Sequence, residues 1–405
     1  MRIMFLAHRL PYPPDKGDKI RSSWELRSLA EKHQVDLFCF YDQPGDKKHI
    51  ETIAMYCDRC CVEKIRWLGS RLRSLAALFG GRPFSTSYFY SDRMAQHVRE
   101  ALRSRQYDVI LVFSSSMAQY AEGLQHIPRI LDMVDVDSDK WAQYARSSKG
   151  PVSWLWKAEA RRLAEYERRI VKEFTTTLLC TEREAAILKK TAGNQGIDVL
   201  PNVIDLAYFD PDTVPVPDEI ATWKPYVVFT GAMDYRPNVD AALYFVRDIF
   251  PFIRKELPEL RFVIAGSNPV RAIRRLATDD TVRVTGTVTD IRPYLRGAVA
   301  AVLPMRISRG IQNKILEALA MGLPVITSSG AAAALPSSVA SLLMVENEPL
   351  QFVTRVVDAV RNGPNVPLHY VRSQLLQHFG AKKVRRQFEQ VLSNAVSRQE
   401  LQAWG

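Results

Sequence analysis

Short apolar runs rich in β-branched residues alternate with helical patterns along most of this 405-residue chain. In the first half these runs are 3–7, 35–40, 109–113, 129–131 and 176–180, and in the second half they are 226–230, 261–265, 282–285, 300–303 and 324–327. Such alternation predicts parallel sheets with helical crossovers, and the chain is too long for a single core. We therefore predict an α/β protein with two Rossmann-like, doubly wound domains facing a cleft.

The proline-rich and acidic stretch 210–225 separates the two series of strands. Its composition predicts a linker between a first domain at 1–209 and a second domain at 226–380. Residues 381–405 have a helical pattern, and we expect this last helix to pack back toward the first domain.

Composition limits the class of protein. A hydrophobic content of 47% and a charged content of 24% are typical of a globular chain. No apolar run approaches the ~18 residues of a membrane-spanning helix, and residues 1–14 lack signal-peptide features, so we expect a cytoplasmic protein. The five cysteines are an odd number, which favours a reducing compartment, and Cys57, Cys60 and Cys61 lack a second ligand pair for zinc. The net charge of +11 predicts an anionic partner: nucleic acid, an acidic membrane or a phosphorylated substrate.

The stretch 309–328, RGIQNKILEALAMGLPVITS, combines a glycine loop, a helix and a strand. Apolar residues recur at helical spacing from Ile311 to Met321, and a helix that starts after a glycine favours phosphate binding. Arg309 and Lys314 would add positive charge, and Glu317 could accept hydrogen bonds from sugar or ribose hydroxyls. We expect the start of this helix to bind nucleotide through Arg306, Arg309, Gly310, Ile311, Gln312, Asn313 and Lys314. The alternative is an amphipathic helix whose charges face water.

Two further loops of the second half follow predicted strands, and loops of this kind lie at the carboxyl edge of a parallel sheet. Gly231, Arg236 and Asn238 follow the strand 226–230, while Gly286 and Thr287 follow the strand 282–285. We predict that these residues contribute to the same nucleotide site. Neither a Gly-x-Gly-x-x-Gly after the first strand nor a Gly-x4-Gly-Lys occurs, which argues against dinucleotide oxidoreductases and P-loop NTPases.

In the first half, His8 and Arg9 follow the first strand, and Gly17 precedes a helix predicted to begin near Asp18. Gly17 could admit a sugar phosphate, with the cations of Lys16, Lys19 and Arg21 near the anion. His8 and Arg9 are candidates for contacting an acceptor hydroxyl or phosphate. A polar connection and a structural histidine remain the alternatives.

The segment DMVDVDSDKW, residues 132–141, contains four aspartates. It lacks the glycine of a calcium-binding EF-hand loop, and Arg146 occupies the twelfth position, so calcium is disfavoured. We predict that Asp135 and Asp137 orient an acceptor hydroxyl, with solvated surface charge as the alternative.

Residues 64–79 form a basic amphipathic pattern. Such a helix is typical of peripheral contact with an anionic membrane, here at the inner face of the cytoplasmic membrane. The alternative is that its apolar stripe packs into its own domain.

Several segments together resemble glycosyltransferase family 4. They are PNVIDLAYF (201–209), FTGAMDYRPN (229–238), the Ala-Gly of VIAGS (263–267), VTGTVTD (284–290) and GIQNKILEALAMGLPVIT (310–327). LAHRLPYPPDKGDKIRS (6–22) and DMVDVDSDKW (132–141) are similar to the bacterial subgroup associated with exosortase (PEP-CTERM) and exopolysaccharide systems.

The resemblance implies a GT-B fold, donor binding mainly by the second domain, retention of anomeric configuration, and no catalytic metal or other cofactor. It also implies that Glu317, the second of two family glutamates eight positions apart, holds the ribose. The chain departs from the family at the first glutamate, where Arg309 stands, and at a phosphate-binding Arg and Lys, where Ala232 and Pro237 stand. We expect Arg306, Arg309 and Lys314 to stabilise the leaving diphosphate instead.

The sequence thus predicts a metal-independent, hexosyltransferase-type enzyme that moves a sugar from a UDP- or GDP-sugar to a saccharide or lipid-linked acceptor. Its catalytic residues would be Arg309, Lys314 and Glu317. A nucleotide-sugar epimerase and a non-catalytic, nucleotide-sugar-binding assembly factor are the alternatives. Nucleic-acid binding is disfavoured because the basic residues are scattered and not interleaved with aromatics.

Overall fold

The computed structural model describes residues 1–65, 81–194, 196–277 and 279–404. The chain divides into two compact units. The first comprises Met1–Pro201 together with the residues from Arg385 onward, and the second comprises Asn202–Val384.

A seven-stranded parallel sheet forms the centre of the first unit, with the order β3-β2-β1-β4-β5-β6-β7. Its strands are β1 (Arg2–Ala7), β2 (Gln34–Tyr41), β3 (Arg59–Lys64), β4 (Val109–Phe113), β5 (Arg129–Val134), β6 (Thr176–Leu179) and β7 (Ile197–Val199). Ile3 to Ala7 and Val109 to Val112 are fully buried, as expected for strands covered on both faces.

Helices connect these strands. They are α1 (Gly17–Ala30), α2 (Ile50–Ala54), α3 (Phe84–Tyr88), α4 (Asp92–Ser104), α5 (Asp137–Arg146), α6 (Pro151–Glu173) and α7 (Glu182–Ala192), with 3₁₀ turns at Pro44–His49 and Ser115–Tyr120. The C-terminal part of a later helix also packs in this unit. The rings of Trp24 and Phe388 lie 5.8 Å apart, and Nε2 of His33 lies 3.3 Å from Glu389 Oε2.

The second unit contains a six-stranded parallel sheet with the order β10-β9-β8-β11-β12-β13. Its strands are β8 (Tyr226–Thr230), β9 (Arg261–Ala265), β10 (Val282–Gly286), β11 (Ala300–Leu303), β12 (Val325–Thr327) and β13 (Met344–Val345). The two sheets confirm the predicted α/β class with two Rossmann-like domains.

The helices that follow are α8 (Asp218–Ala221), α9 (Arg236–Tyr244), α10 (Phe250–Glu256), α11 (Arg271–Arg274), α12 (Arg292–Gly297), α13 (Asn313–Ala320), α14 (Ser329–Ala332), α15 (Ser337–Ala340), α16 (Pro349–Asn362), α17 (Leu368–Phe379) and α18 (Ala381–Trp404). A π-helical turn at Phe245–Ile249 joins α9 to α10, and a 3₁₀ turn lies at Pro211–Thr213. Helix α18 begins in the second unit and continues into the first.

The stretch 210–225 is folded and belongs to the second unit. Val214 and Ile220 are buried in the core of that unit, and Trp223 packs against it. The boundary between the units therefore lies at Pro201 and Asn202, not at the predicted residues 209 and 210. The proline-rich composition led to the prediction of a linker, although the apolar residues of this stretch pack into the core of the second unit.

Most predicted strands agree with the structure to within a few residues, and 109–113, 226–230, 261–265 and 300–303 agree in both bounds. Three strands were not predicted: β3, which contains Cys60 and Cys61, and the short β7 and β13. Most of the predicted basic segment 64–79 lies outside the described residues. Of that segment, Lys64 ends β3 and Ile65 is buried.

Candidate functional site

A loop with a hydrogen bond between two of its own residues precedes helix α13. Gly310 has a φ of 51°, a left-handed conformation that favours glycine, and Nε2 of Gln312 donates to the carbonyl oxygen of Arg309 at 2.7 Å. Gln312 is extended, so the helix starts at Asn313, two residues after the predicted start. Ile315, Leu316 and Leu319 are buried, which leaves Lys314 and Glu317 half-buried beside the core face.

The ammonium of Lys314 lies at the loop that follows β8. Its Nζ donates a hydrogen bond to Asn238 Oδ1 and lies 4.6 Å from the centre of the Phe229 ring. A Cβ placed on Gly231 would be 3.0 Å from this Nζ and 2.7 Å from Nδ2 of Asn238. The absence of a side chain at Gly231 therefore keeps the approach to the ammonium open.

Asn238 connects the β8 loop to α13. It is buried, accepts from Lys314 through Oδ1, and donates through Nδ2 to the carbonyl oxygen of Ala232 at 2.9 Å. Asn313 is held in a similar way, since its Oδ1 accepts from Nδ2 of Asn202 at 2.7 Å. Two amide side chains thus fix the β8 loop and the start of α13 within the second unit.

The loops after β8 and β9 touch through two glycines. A Cβ on Gly266 would lie 1.8 Å from the carbonyl oxygen of Gly231, and the N–H of Gly231 donates to the carbonyl oxygen of Ala265 at 3.1 Å. Only glycine at position 266 permits this approach. From the sequence, the Ala-Gly pair stands out only as part of the resemblance, and no role was predicted for Gly266.

Burial shifts the pKa values of both ionisable side chains of α13, Lys314 and Glu317. Burial lowers the pKa of Lys314 to about 7, with Glu317 acting in the opposite direction. Burial also raises the pKa of Glu317 to about 7, and Lys314 opposes that shift. Both groups therefore titrate near neutrality, as is common at functional sites.

The three cations of the predicted phosphate set lie in different environments. Arg306 forms an ion pair with Asp240 at Nε, 2.9 Å from Oδ2, and its guanidinium lies 4.6 Å from the ring centre of Tyr244. Arg309 is buried, with an exposed fraction of 8%. Lys314 is the member of the set that the structure places against the β8 loop.

The remaining predicted donor residues lie near the carboxyl edge of the second sheet. Gly286 ends β10 with a φ of 71°, and its carbonyl oxygen accepts from Oγ1 of Thr285 at 2.8 Å. Thr287 is exposed beyond it, and Arg236 is exposed at the start of α9. Ile311 packs against the core of the second unit.

In the first unit, His8 and Arg9 lie at the carboxyl end of β1 in a charged cluster. The His8 ring stacks on Phe113 with centroids 5.7 Å apart, and Nε2 of His8 lies 3.2 Å from Asp18 Oδ2. Arg9 donates to Asp18 at 2.9 Å and to Asp42 at 3.1 Å. Burial alone would raise the pKa of Asp18, but His8 and Arg9 outweigh it and hold this pKa well below its usual range.

Two of the three cations predicted near an anion at Gly17, Lys19 and Arg21, are paired with buried carboxylates in the structure. Lys19 is buried and donates to Asp46 at 2.8 Å, and Arg21 is buried and donates to Asp132 at 2.6 Å and to the carbonyl oxygen of Leu200 at 2.7 Å. Both side chains are buried with a carboxylate as partner, Asp46 for Lys19 and Asp132 for Arg21. Gly17 itself is exposed, in open space.

Asp135 lies in the short connection after β5, and Asp137 is the first residue of α5. Val134 has a φ of 65° and the neighbouring Ser114, after β4, has a φ of 81°, which are uncommon values for non-glycine residues and often mark functional loops. Asp135 accepts from the Cys180 thiol at 3.0 Å, and Asp137 accepts from Ser115 Oγ at 3.2 Å and from Lys140.

Two buried carboxyl groups hold this loop, and neither was found from the sequence. Glu167 accepts from the N–H of Ser138 at 3.0 Å, and Glu184 accepts from the N–H of Val136 at 2.8 Å. Burial, followed by the charge of Asp137, raises the pKa of Glu167 to about 8. Burial and then Asp135 raise the pKa of Glu184 to about 7. Both residues lie inside helical patterns, where no local signal separates a buried glutamate from a solvated one.

Within residues 1–65, 81–194, 196–277 and 279–404, no group of three or more histidine, cysteine, aspartate or glutamate side chains is arranged to hold a metal ion. Over the same described part of the chain, no helix is long and apolar enough to cross a membrane.

The second unit matches a known family. Residues 224–362 match the family described as Glycosyl transferases group 1. One component of the human phosphatidylinositol N-acetylglucosaminyltransferase is 27% identical over 165 residues, which are 38% of this chain and 32% of that protein. This match spans about a third of the length of that relative.

Solved structures align along nearly the whole chain. Sucrose-phosphate synthase from Thermosynechococcus elongatus aligns over 98% of this chain and 100% of its own with a TM-score of 0.73 and 15% identity. Anabaena HepE in complex with UDP aligns over 97% of this chain and 100% of its own with a TM-score of 0.63 and 14% identity. These likenesses confirm the predicted GT-B fold, and the family match supports a glycosyltransferase. The finer placement in family 4 and its exopolysaccharide-associated subgroup stays a prediction.

Proposed function

We propose that this chain is a retaining, metal-independent glycosyltransferase that moves a sugar from a nucleotide diphosphate sugar to a saccharide or lipid-linked acceptor in the synthesis of cell-surface polysaccharide. The observation that carries the proposal is the position of the Lys314 ammonium: Lys314 is in the first turn of α13, and its Nζ lies next to Gly231, which has no side chain. A diphosphate that leaves during sugar transfer needs positive charge to stabilise it, and the Lys314 ammonium would supply that charge.

The diphosphate would bind where the β8 loop meets the start of α13. The first N–H groups of a helix lack hydrogen-bond partners within the helix. The side chain of Gln312, at the N-cap, does not accept from them and instead donates to the carbonyl oxygen of Arg309. Together with the helix dipole and the Lys314 ammonium, these groups favour a phosphate. Gly231 supports the proposal because its missing side chain gives the phosphate room.

Glu317 would bind the ribose. It lies one helical turn beyond Lys314, at a distance suited to the step from a phosphate to the attached sugar, and its carboxylate offers several lone pairs to a pair of hydroxyls. Glu317 accepts two such hydrogen bonds when it is ionised, and burial raises its pKa to about 7. Binding of the ribose would then favour the ionised form.

The leaving diphosphate develops negative charge during transfer, and this chain would stabilise it without a metal. A hydrogen bond to a charged group contributes about 1.5–3 kcal/mol, so Lys314 with the helix N-terminus could supply a substantial part of the stabilisation. Arg309 would add a further charge after a change of side-chain position, because it is buried in this structure. Arg306 would first have to leave Asp240.

The acceptor would bind at the carboxyl edge of the first sheet. His8 and Arg9 after β1 and Asp137 after β5 each have a charged partner there, which for Asp137 is Lys140. The carboxylate of Asp137 could accept the hydrogen bond of an acceptor hydroxyl. The name of the human relative includes phosphatidylinositol, which supports a lipid-linked acceptor for this chain. We accordingly place the reaction at the inner face of the cytoplasmic membrane.

The experiment that tests this proposal is calorimetric titration of UDP and GDP without added metal. UDP is tried first because the HepE structure contains UDP. We expect one nucleotide to bind saturably to the wild type, and we expect Glu317→Ala and Lys314→Met each to weaken binding by about tenfold or more. Glu348→Ala, an exposed carboxylate of the same unit, is the matched control and should bind like the wild type.

Product analysis with the nucleotide sugar then separates the alternatives. A new glycoside supports the transferase, and an isomerised donor without an acceptor product would indicate an epimerase. If neither nucleotide bound, with or without membrane lipid, the assembly-factor alternative would replace the proposal. Arg309→Ala should lower the turnover number, and unchanged turnover would remove Arg309 from the mechanism.

A further inference from the structure

The tip of the α5–α6 hairpin exposes apolar side chains among cations. Trp154, on the first turn of α6, is 79% exposed, and Val152 is 49% exposed. Exposed cations surround them in the sequence: Arg146, Lys149, Lys157 and Arg161. We call these six residues the Trp154 surface.

The helical spacing explains why Trp154 points outward. Ser153, Glu159 and Leu163 are buried along one side of α6, while Trp154, Lys157 and Arg161 are spaced three and four residues apart on the other. The neighbouring Trp156 packs on Trp141, with ring centroids 4.7 Å apart. Trp156 thus serves the packing of the hairpin, and Trp154 does not.

The charge of this segment is one-sided. Between residues 146 and 164 the only carboxylate is that of Glu159, which is fully buried. It accepts from the N–H of Phe84 at 2.7 Å and from the N–H of Ser85 at 3.1 Å, so it is directed toward α3 and away from solvent. Two carboxylates lie at the border of the surface: Asp139 pairs with Arg146 at 3.6 Å, and the exposed Glu165 follows Arg161 by one helical turn. Lys149 and Lys157, which are nearer to Trp154 in the sequence, have no carboxylate between residues 146 and 164 except the buried Glu159.

We propose that the Trp154 surface docks on an anionic lipid bilayer. Tryptophan prefers the interface between water and membrane, and lysine and arginine are attracted to anionic headgroups within a Debye length. The centre of a typical protein–protein interface is depleted of charged residues, whereas here one tryptophan and one valine are bordered by four cations. The charge pattern therefore fits a lipid surface better than a protein partner.

This inference rests on the membrane location in the proposed function and deepens it by naming the surface that would contact the lipid. The two can fail separately, because nucleotide binding requires no vesicle and membrane docking requires no turnover. It also differs from the predicted contact through residues 64–79. Most of those residues lie outside the described part of the chain, and they take no part in the argument.

The test is the partition of the full chain onto vesicles of phosphatidylcholine with about 30% phosphatidylglycerol, compared with phosphatidylcholine alone. We expect Lys149→Glu/Lys157→Glu/Arg161→Glu to lower partition onto the anionic vesicles by about tenfold or more. Arg93→Glu/Arg99→Glu/Arg103→Glu, on exposed positions of α4, makes the same change in net charge and should lower it by less than about threefold.

A second measurement reports on Trp154 directly. Bilayers with brominated acyl chains should quench part of the tryptophan fluorescence of the wild type, and Trp154→Phe should abolish that part. Thermal unfolding of each variant verifies that it is folded. Equal losses for the two charge-reversal triples, or quenching that persists in Trp154→Phe, would overturn the proposal. So would self-association of the wild type in solution that Trp154→Ser abolishes, since the surface would then bind a second copy.

Discussion

Lys314 and Glu317 lie one turn apart on α13, and burial moves their pKa values toward each other until both are about 7. The nucleotide site would need both charges, an ammonium for the diphosphate and a carboxylate for the ribose. The ammonium of Lys314 predominates below pH 7, and the carboxylate of Glu317 predominates above it.

Nucleotide affinity should therefore be highest near pH 7. As pH rises through 7, Lys314 loses its proton and its attraction for the diphosphate, and as pH falls through 7, Glu317 gains a proton and loses its acceptor capacity. Above pH 7, binding should take up a proton, because the bound diphosphate stabilises the ammonium. Calorimetry in buffers of different ionisation enthalpy measures this uptake. Lys314→Met should remove the alkaline decrease only, and an alkaline decrease that survives in this variant would contradict the assignment.

Asn238→Asp should move the alkaline decrease to higher pH. The new carboxylate would lie at the Lys314 ammonium and raise the pKa of Lys314, while also competing with the diphosphate, so affinity at neutral pH should fall by about tenfold. Asp240→Asn, on the same helix, frees Arg306 and should leave the position of the alkaline decrease unchanged. The same titrations serve for both variants. A profile that does not move in Asn238→Asp would show that Lys314 is not the titrating group.

Gly266→Ala should destabilise the second unit by about 3 kcal/mol and abolish nucleotide binding, because the new Cβ would lie 1.8 Å from the carbonyl oxygen of Gly231. Gly330→Ala, where a Cβ meets open space, should change stability by less than about 1 kcal/mol. Denaturant unfolding measures both variants. Near-wild-type stability of Gly266→Ala would show that the two loops separate at little cost.

Lys19→Met should destabilise the first unit by about 3–5 kcal/mol, since it leaves Asp46 buried without its cation. The double variant Lys19→Met/Asp46→Leu should recover most of this loss. Affinity for nucleotide should be unchanged in the double variant. If Lys19→Met instead weakened nucleotide binding without loss of stability, the expectation of an anion near Gly17 would regain support.

The sheets could be predicted because their central strands are continuous apolar runs. Val109 to Phe113 and Tyr226 to Thr230 have this pattern, and both bounds agree with the structure. β3 was missed because its sequence, RCCVEK, mixes apolar with charged residues, as suits a strand at the edge of its sheet. Residues 210–225 were predicted as a linker because proline content does not reveal that Val214 and Ile220 pack into the core of the second unit.

The candidate site was predictable in its local parts only. The loop, the glycine and the helix start around Gly310 are contiguous in sequence, so their pattern identified them. The contact between Lys314 and Asn238 joins residues 76 positions apart, and the direction of the Lys19 side chain depends on a partner 27 positions away. Tertiary contacts of this kind leave no periodic signal, which is also why Glu167 and Glu184 were not found.

The first unit is completed by residues that follow the whole second unit in the chain. Phe388, Leu392 and Ala395 are buried, yet the ribosome must synthesise residues 202–384 before it reaches them. During translation, Trp24 of the first unit therefore has no contact with the ring of Phe388 until the last helix has been synthesised. By then all core residues of the second unit are already part of the chain. The last helix can therefore join the first unit only after the whole second unit has been synthesised.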